Sequence, residues 1–262
     1  MNNPLGGSGQ NFGLRSLKNK EEDEKFLLDL RSKNYARGKN PCAFPEKIYV
    51  INREDRQDRW ESFCKINSNL FSSFRVLRWE ATTTSYQIPS VVDAIFDSFL
   101  SCMNESFKEE ECVIIMEDDA YLAEGGIEKL QKCWEDLPED WDVLVGNHYW
   151  FYKMEILTDH LAKPIGRAST ANFIVARKTI LPKILENIDR RGDESTKDFD
   201  HFITSEFVPV NNYTVWPMIS REISSFSDHK GKKLDSSMKI RENAYKYLFI
   251  DQDNYYPSIE GW

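Results

Sequence analysis

The sequence predicts an α/β domain with a mixed, mainly parallel β-sheet flanked by helices. Apolar segments of strand length alternate with segments whose apolar residues recur at three and four residues, a pattern typical of sheets wound through helices. One strand segment, Val113–Met116, is apolar at every position. A strand buried on both faces indicates a sheet covered by helices on each side, so we expect right-handed crossovers between parallel strands.

The first half of the chain carries the clearest alternation of strands and helices. Its longest helical pattern starts near Pro89, a residue that suits the first turn of a helix. The predicted elements are, in order, the strand KIYVIN (47–52), a charged loop and helix over 53–66, the strand FRVLRWEA (74–81), the helix from Pro89, the strand CVIIM (112–116), a helix from Gly125 to about Trp134 and the strand WDVLVG (141–146).

The second half is less regular. Residues 147–168 begin with a dense aromatic stretch and have no clean period, which indicates a loop or a short hairpin beside a cleft. Further elements are predicted in TANFIVARK (a strand), TILPKILENI (a helix capped by Thr179), STKDFDHFITSEF (a helix capped by Ser195 or Thr196) and YTVWP (the last strand).

The chain divides into three expected segments. Residues 1–40 are rich in Gly, Asn and charged residues, which predicts a tail with one possible short helix. Residues 41–235 hold all the predicted strands and form a single α/β domain. Residues 236–262 are polar with aromatic residues near the end, and we expect them to pack on that domain.

Composition excludes one class of function. The chain has 43 Asp plus Glu against 34 Lys plus Arg, a formal net charge of -9. Nucleic-acid backbones reward clustered positive charge, so we do not expect a nucleic-acid partner. Any phosphate in the ligand therefore needs a local counter-charge, such as a metal ion.

The cysteines and the chain start predict the compartment. Five cysteines, an odd number, show neither CxxC nor Cys/His ligand spacing, which indicates reduced, buried thiols. The N-terminal sequence lacks the apolar core of a signal peptide, and no apolar run reaches membrane-spanning length. We therefore expect a cytoplasmic protein without a transmembrane segment.

Three consecutive carboxylates, Glu117–Asp119, directly follow the buried strand CVIIM. Ligands of parallel sheets bind just beyond the carboxyl ends of the strands, so a site is expected there. Carboxylates without Cys or His partners suit a hard cation, Mn²⁺ or Mg²⁺, completed by substrate phosphates. Such a cation would serve a glycosyltransferase, a phosphatase or a nuclease. The same acids also fit a solvated turn that caps the next helix.

Seven segments of the chain, in register, resemble glycosyltransferase family 25, the lipopolysaccharide and collagen galactosyltransferase-like enzymes. IIMEDDA is similar to the family's Glu-Asp-Asp motif, the DxD-like metal site of GT-A enzymes. The other six segments are KIYVINREDRQDRW, RWEATTT, WDVLVG, GRASTANFIVARKTI, DFDH and WPMISREISSFSDHK. The resemblance implies a GT-A-like, Rossmann-type fold.

The chain also departs from the family pattern. Thr82–Thr84 stand where the family has Val-Asp-Gly, so the donor contact of that Asp is missing. The STANF segment lacks the family's Tyr, and MISRE lacks its Gln. These changes are consistent with a different donor sugar or acceptor.

The resemblance implies a set of metal ligands. Asp119 binds the metal on the donor diphosphate, with help from Glu117 or Asp118. His229, in SFSDHK, is a candidate third ligand from the C-terminal part of the chain; it also fits a solvated loop imidazole beside Lys230.

The resemblance further implies residues that bind the nucleotide-sugar donor. Ile51, Asn52 and Arg53, at the end of the first strand, contact the base and ribose. Ala81, at the end of the second strand, and Asp118 belong to the same donor site.

Two arginines at the start of the first helix are candidates for phosphate binding. Arg56 and Arg59 could each meet a phosphate bidentately. The alternative is a helix start in which these arginines, like Arg53, form ion pairs with Glu54, Asp55 and Asp58.

An inverting transferase needs a base that takes the proton of the acceptor hydroxyl. The resemblance of DFDH to the family's Asp segment implies Asp200 as this base, with Asp198 and Glu206 as alternatives. The aromatic stretch 148–152 suits stacking of an acceptor sugar, or packing in the core.

Together these features predict a metal-dependent glycosyltransferase that moves a sugar from a UDP-sugar donor to a glycan hydroxyl. Inversion is implied by the resemblance alone. Two alternatives stay open: a metal-dependent phosphate-ester enzyme, such as a phosphatase or nucleotidyltransferase, and a non-catalytic glycan-binding protein.

Overall fold

The computed structural model describes residues 35, 39–88, 90–148, 150–169, 172–191, 198–205, 208–223, 226–227 and 232–233. Most of the predicted N-terminal tail and all of the C-terminal segment lie outside these residues. So do His229, Glu206 and the predicted caps Ser195 and Thr196.

The described part of the chain folds as a large mixed sheet flanked by helices. This architecture confirms the predicted fold class. The strands are β1 (Lys47–Asn52), β2 (Arg75–Glu80), β3 (Cys112–Glu117), β4 (Ala120–Leu122), β5 (Val143–Val145), β6 (Trp150–Ile156), β7 (Leu161–Ser169), β8 (Phe173–Arg177), β9 (Asn212–Val215), β10 (Ser220–Glu222), β11 (Phe226–Ser227) and β12 (Lys232–Lys233). The helices are α1 (Gln57–Ile66), α2 (Leu70–Ser73), α3 (Val91–Ser106), α4 (Gly126–Asp136), α5 (Ile180–Asn187), a 3₁₀ turn (Ile188–Arg190) and α6 (Phe199–Ile203).

The eight strands of the main sheet lie in the order β2-β1-β3-β8-β5-β9-β7-β6. β1 pairs in parallel with both β2 and β3, and β5 pairs in parallel with β9. β8 is antiparallel to its neighbours β3 and β5, and β7 is antiparallel to β9 and β6. Followed through these pairings, β7 and β8 run against the other strands, so the sheet is mixed and its strands run mainly in one direction.

Helices cover the sheet on both faces, as the apolar run in β3 predicts. Ile114 and Met116 lie in one core cluster, and Val113 and Ile115 lie in a second cluster on the other face. The first cluster includes side chains from α1, α2 and α4, and the second includes side chains from α3, α5 and α6. Residues 112–116 are therefore buried in both directions, which is why no polar side chain interrupts them.

The irregular stretch 147–168 forms most of the hairpin β6–β7, longer than the short hairpin predicted. This hairpin returns the chain to the edge of the sheet at which β5 ends. β8 therefore enters the sheet from that edge and runs antiparallel to β3 and β5, an inversion that strand and helix alternation alone does not reveal.

Of the helix caps predicted in the second half, Thr179 lies within the described residues and occupies the N-cap position of α5. Thr179 precedes α5 but makes no side-chain cap; its hydroxyl donates to Asp142 Oδ1 at 2.7 Å instead. The helix predicted over 195–207 is described only over Phe199–Ile203, with Asp198 at its N-cap position.

Asp142, the polar residue inside WDVLVG, is buried and fully hydrogen-bonded. It is 1% exposed and also accepts hydrogen bonds from Lys183 Nζ at 2.6 Å and from the backbone N–H of Asn211 at 2.8 Å. These contacts join the starts of β5 and β9 to α5, so Asp142 stabilises the sheet edge opposite to the carboxylates.

Two residues of the predicted tail pack on the domain. The Tyr35 hydroxyl donates to the carbonyl of Asp136, and Asn40 Oδ1 accepts from the indole of Trp141 at 2.9 Å. None of the helices in the described part of the chain combines the length and apolar character needed to span a bilayer.

Candidate functional site

The carboxylate triple lies at the edge where the parallel strands end. Glu117 is the last residue of β3, and Asp118 and Asp119 form the turn into β4. Asp119 is held from the C-terminal part of the chain, because its carbonyl accepts the backbone N–H of Ile223 at 2.7 Å. The site thus lies at the position expected for ligands of such sheets.

Asp118 has a hydrogen bond at one carboxylate oxygen and an ion pair at the other. Asn52 Nδ2, at the end of β1, donates to Oδ2 at 2.5 Å, and Nη2 of Arg59 lies 2.6 Å from Oδ1. The Asn52 and Asp118 side chains are 66 residues apart in the chain and meet because β1 and β3 are parallel neighbours. Asp118 is therefore fixed in orientation.

Asp119 shares Arg59 with Asp118 and keeps one oxygen open. Arg59 Nη2 donates to Asp119 Oδ2 at 2.5 Å. Asp119 Oδ1 is buried and makes no hydrogen bond with any residue that the structure describes. A buried carboxylate oxygen without a partner is costly, so this atom is available to a cation or a hydrogen-bond donor.

Burial and mutual repulsion disfavour the charged forms of two of these acids. Burial raises the pKa of Asp118 to about 6, a rise that Arg59 opposes and Asp119 enhances. The pKa of Glu117 is raised well above its usual range by burial, and then by the charges of Asp119 and Glu222. The single guanidinium of Arg59 therefore does not offset burial and mutual repulsion, so the ionised forms of these acids need a further positive charge.

The charge and ligand chemistry of this cluster suit a divalent cation. Three carboxylates carry three negative charges when ionised, and Arg59 supplies one positive charge, so two further positive charges would balance them. All candidate ligand atoms are carboxylate oxygens, the donors that Mg²⁺ and Mn²⁺ prefer. The candidate ligands are Asp119 Oδ1, which has no hydrogen bond with the described residues, and the partly accessible Glu117.

Two residues that support the cluster were not predicted. The buried Asn67 donates from Nδ2 to the Ala120 carbonyl at 2.8 Å, and its Oδ1 accepts the Leu122 N–H at 2.9 Å, which fixes β4. Glu222 is the register partner of Ala120 in the β4–β10 pairing and adds its charge beside Glu117. The sequence gives no signal for either contact, because each joins elements distant in the chain.

The arginines at the start of α1 have different surroundings. Arg53 pairs with Asp55 at 2.6 Å and Arg56 pairs with Asp58 at 2.9 Å, both at the surface, as the ion-pair alternative predicts. Arg59 instead points into the cluster, where its side chain is 10% exposed.

The other predicted donor residues surround the end of β1. Ile51 is buried in the core cluster beneath α3, and its neighbour Asn52 is 1% exposed. Ala81 donates its backbone N–H to the Asn52 carbonyl at 3.1 Å and is partly accessible. The structure therefore brings Asn52, Arg59 and Ala81 to the carboxylate edge, while Ile51 packs in the core.

Asp200 lies on a separate element, α6. Its carboxylate accepts the backbone N–H of His201 at 2.8 Å, and its carbonyl accepts the Thr204 hydroxyl at 2.9 Å. With Asp198 and His201 it forms a group whose potential ligand atoms lie within 4.8 Å of one another. The aromatic stretch after β5 is partly a core feature, since His148 is 1% exposed and its Nε2 lies 2.8 Å from Thr214 Oγ1.

Comparisons with known proteins do not assign this chain to a family. No family model matches the sequence, and no curated protein matches it. The resemblance to glycosyltransferase family 25 therefore remains an interpretation of short segments.

Three solved structures are similar to this chain at low identity. A197 from STIV has a TM-score of 0.43 and 8% identity, over 70% of this chain and 87% of that one. A glycosyltransferase involved in glycosylation of the major capsid of PBCV-1 has a TM-score of 0.44 and 9% identity, over 74% and 97%. Mannose-1-phosphate geranyltransferase from Thermus thermophilus has a TM-score of 0.36 and 11% identity, over 66% and 60%. TM-scores below 0.5 do not establish what this chain does.

Proposed function

We propose that this protein is a metal-dependent glycosyltransferase that moves a sugar from a UDP-sugar donor to a glycan hydroxyl, with inversion at the anomeric carbon. The observation that carries the proposal is the open oxygen of Asp119 in an undercompensated carboxylate cluster, at the carboxyl edge of a mixed α/β sheet. The short segments similar to glycosyltransferase family 25 support the choice of reaction.

Within this proposal Glu117 and Asp119 hold Mn²⁺ or Mg²⁺. When bound, the cation stabilises the negative charge that develops on the departing nucleoside diphosphate. Asn52 and Arg59 orient Asp118 and Asp119, so the site is preorganised before the donor arrives. The partly accessible Ala81, beside the buried Asn52, would lie next to the nucleotide. His229, outside the described residues, remains a candidate further ligand.

The first test measures donor binding by the wild-type protein. Calorimetry and thermal shift against UDP- and GDP-sugars, each with Mn²⁺, with Mg²⁺ and with chelator, should give a metal-dependent response to a UDP-sugar. A metal-dependent response to phosphate esters or nucleoside triphosphates, with none to any nucleotide sugar, would instead favour the phosphate-ester enzyme. Folded protein that binds no nucleotide in any condition would leave the glycan-binding alternative.

Asp200 is assigned the role of the base that takes the acceptor proton. Its carboxylate is oriented by the His201 N–H, as a base that must point at one atom requires. We expect Asp200→Asn to lower turnover by roughly 10²–10⁴-fold, the range of general-base contributions, while donor binding stays unchanged. Turnover measured with a radiolabelled donor checks this, and an active Asp200→Asn variant would shift the assignment to Asp198 or Glu206.

A further inference from the structure

We propose that a cavity between β7, α6 and the start of β9 binds one neutral sugar ring. The cavity has a volume of about 250 Å³, and its lining includes Pro164, Gly166, Ile203, Val208, Val210 and Asn212. Asn212 pairs with Val143 at the beginning of β5, whereas the carboxylate cluster lies beyond the carboxyl ends of the strands. The choice of a sugar as ligand rests on the proposed function.

The cavity exists because two strands separate. β7 and β9 pair at Leu161 with Val215 and at Ala162 with Thr214, within the described residues. Pro164, two residues on, has no N–H to donate to a neighbouring strand, and Gly166 has a φ of 78° that bends the chain. The ladder therefore ends, and the two strands leave a gap that α6 and residues 208–210 close from one side.

The side chain of Asn212 lies on the face of β9 that borders this gap, and its hydrogen-bonding groups are buried without a partner among the described residues. Tyr213 and Val215 pack in the core cluster on one face of the sheet, so the alternation of side chains places Asn212 on the opposite face, that of Ile203 and Val208. Asn212 is 6% exposed, and neither its Nδ2 nor its Oδ1 has a hydrogen-bond partner among the described residues. A buried carboxamide with both ends unpaired is destabilising unless a ligand completes it.

The lining selects a small, neutral, amphipathic ligand. Lys163 is the single charged residue among those described around the cavity, and its ammonium lies 5.2 Å from the centroid of the Tyr213 ring, on the other face of β9. The volume is below the roughly 300–1,000 Å³ of drug-sized sites, which favours a small ligand over a nucleotide. One sugar ring does, because its hydroxyls both donate and accept towards the Asn212 carboxamide and its C–H face packs on Pro164 and Val208.

The test compares the wild-type chain with Asn212→Val by thermal denaturation, alone and with about 50 mM galactose, glucose, mannose, xylose or N-acetylglucosamine. Without sugar, Asn212→Val should melt above the wild type, because the change removes an unsatisfied amide and suits a strand. At about ten times its Kd, one sugar should raise the wild-type midpoint by roughly 2–4 °C, and this shift should vanish in Asn212→Val.

Two variants make the result specific. Asn104→Ala, at an exposed position of α3, should keep the sugar-dependent shift. Asp119→Asn should also keep it while losing metal-dependent donor binding, so the two sites can fail separately. Equal shifts in the wild type and Asn212→Val with every sugar, or a lower midpoint of Asn212→Val without sugar, would overturn the proposal.

Discussion

Arg59→Gln is expected to lose about 3–5 kcal/mol of unfolding free energy in metal-free buffer, the cost of removing one partner from a buried ion pair. The Arg59 side chain is 10% exposed and contacts both Asp118 and Asp119. Without it these carboxylates and Glu117 would share a buried site with no counter-charge. Urea denaturation with a chelator present, analysed by linear extrapolation, measures the loss.

The matched control is Arg53→Gln. Arg53 makes an ion pair with Asp55 in which both side chains are largely in water, 39% and 63% exposed, so its removal should cost at most about 1 kcal/mol. Mn²⁺ should restore part of the stability of Arg59→Gln, because the cation replaces the missing positive charge. An Arg59→Gln variant as stable as the control would mean that the cluster does not depend on this guanidinium.

Asp119→Asn is expected to weaken Mn²⁺ binding by more than the roughly 10–100-fold that loss of an outer-shell partner costs, and to abolish the metal-dependent part of donor binding. Asp119 Oδ1 is buried and has no hydrogen bond with any described residue. An amide in this place carries no charge for the cation. Calorimetric titration with Mn²⁺, followed by the UDP-sugar, gives both affinities.

The Asp119→Asn variant should remain folded, because Arg59 keeps its contact with Asp118 and the cluster loses one of its repelling charges. Glu135→Gln, an exposed carboxylate-to-amide exchange near the end of α4, serves as the control and should bind Mn²⁺ and donor like the wild type. Unchanged Mn²⁺ affinity in folded Asp119→Asn would remove Asp119 from the metal site and with it the main support for the proposed function.

Local patterns were sufficient for two neighbouring strands of the main sheet, β1 and β3. The apolar runs at 47–52 and 112–116 fall on β1 and β3 because such runs are long enough for a strand and too short for a buried helix. The place of Glu117–Asp119 at the carboxyl end of β3 follows from the same pattern. The direction of β8 does not, since it depends on how the hairpin before it returns to the sheet.

Arg59 shows where sequence reasoning was incomplete. Local spacing suggested either an ion pair with a nearby acid or a contact with phosphate, and its neighbours Arg53 and Arg56 do form local pairs. Arg59 instead meets Asp119, 60 residues further along the chain, because α1 packs beside the turn after β3. Charge complementarity between buried groups acts through space, so spacing along the chain does not encode it.

The alternation of strands and helices, the strand buried on both faces and the acidic turn after it are all encoded locally, because each depends on the side-chain order of a short segment. Three other properties arise only when the chain folds: which acids have counter-charges, which carboxylate oxygen lacks a partner, and which amide, Asn212, is buried without a partner among the described residues. Those properties depend on burial and on contacts between distant segments, and the free energy of a charge or a hydrogen bond is set by that environment.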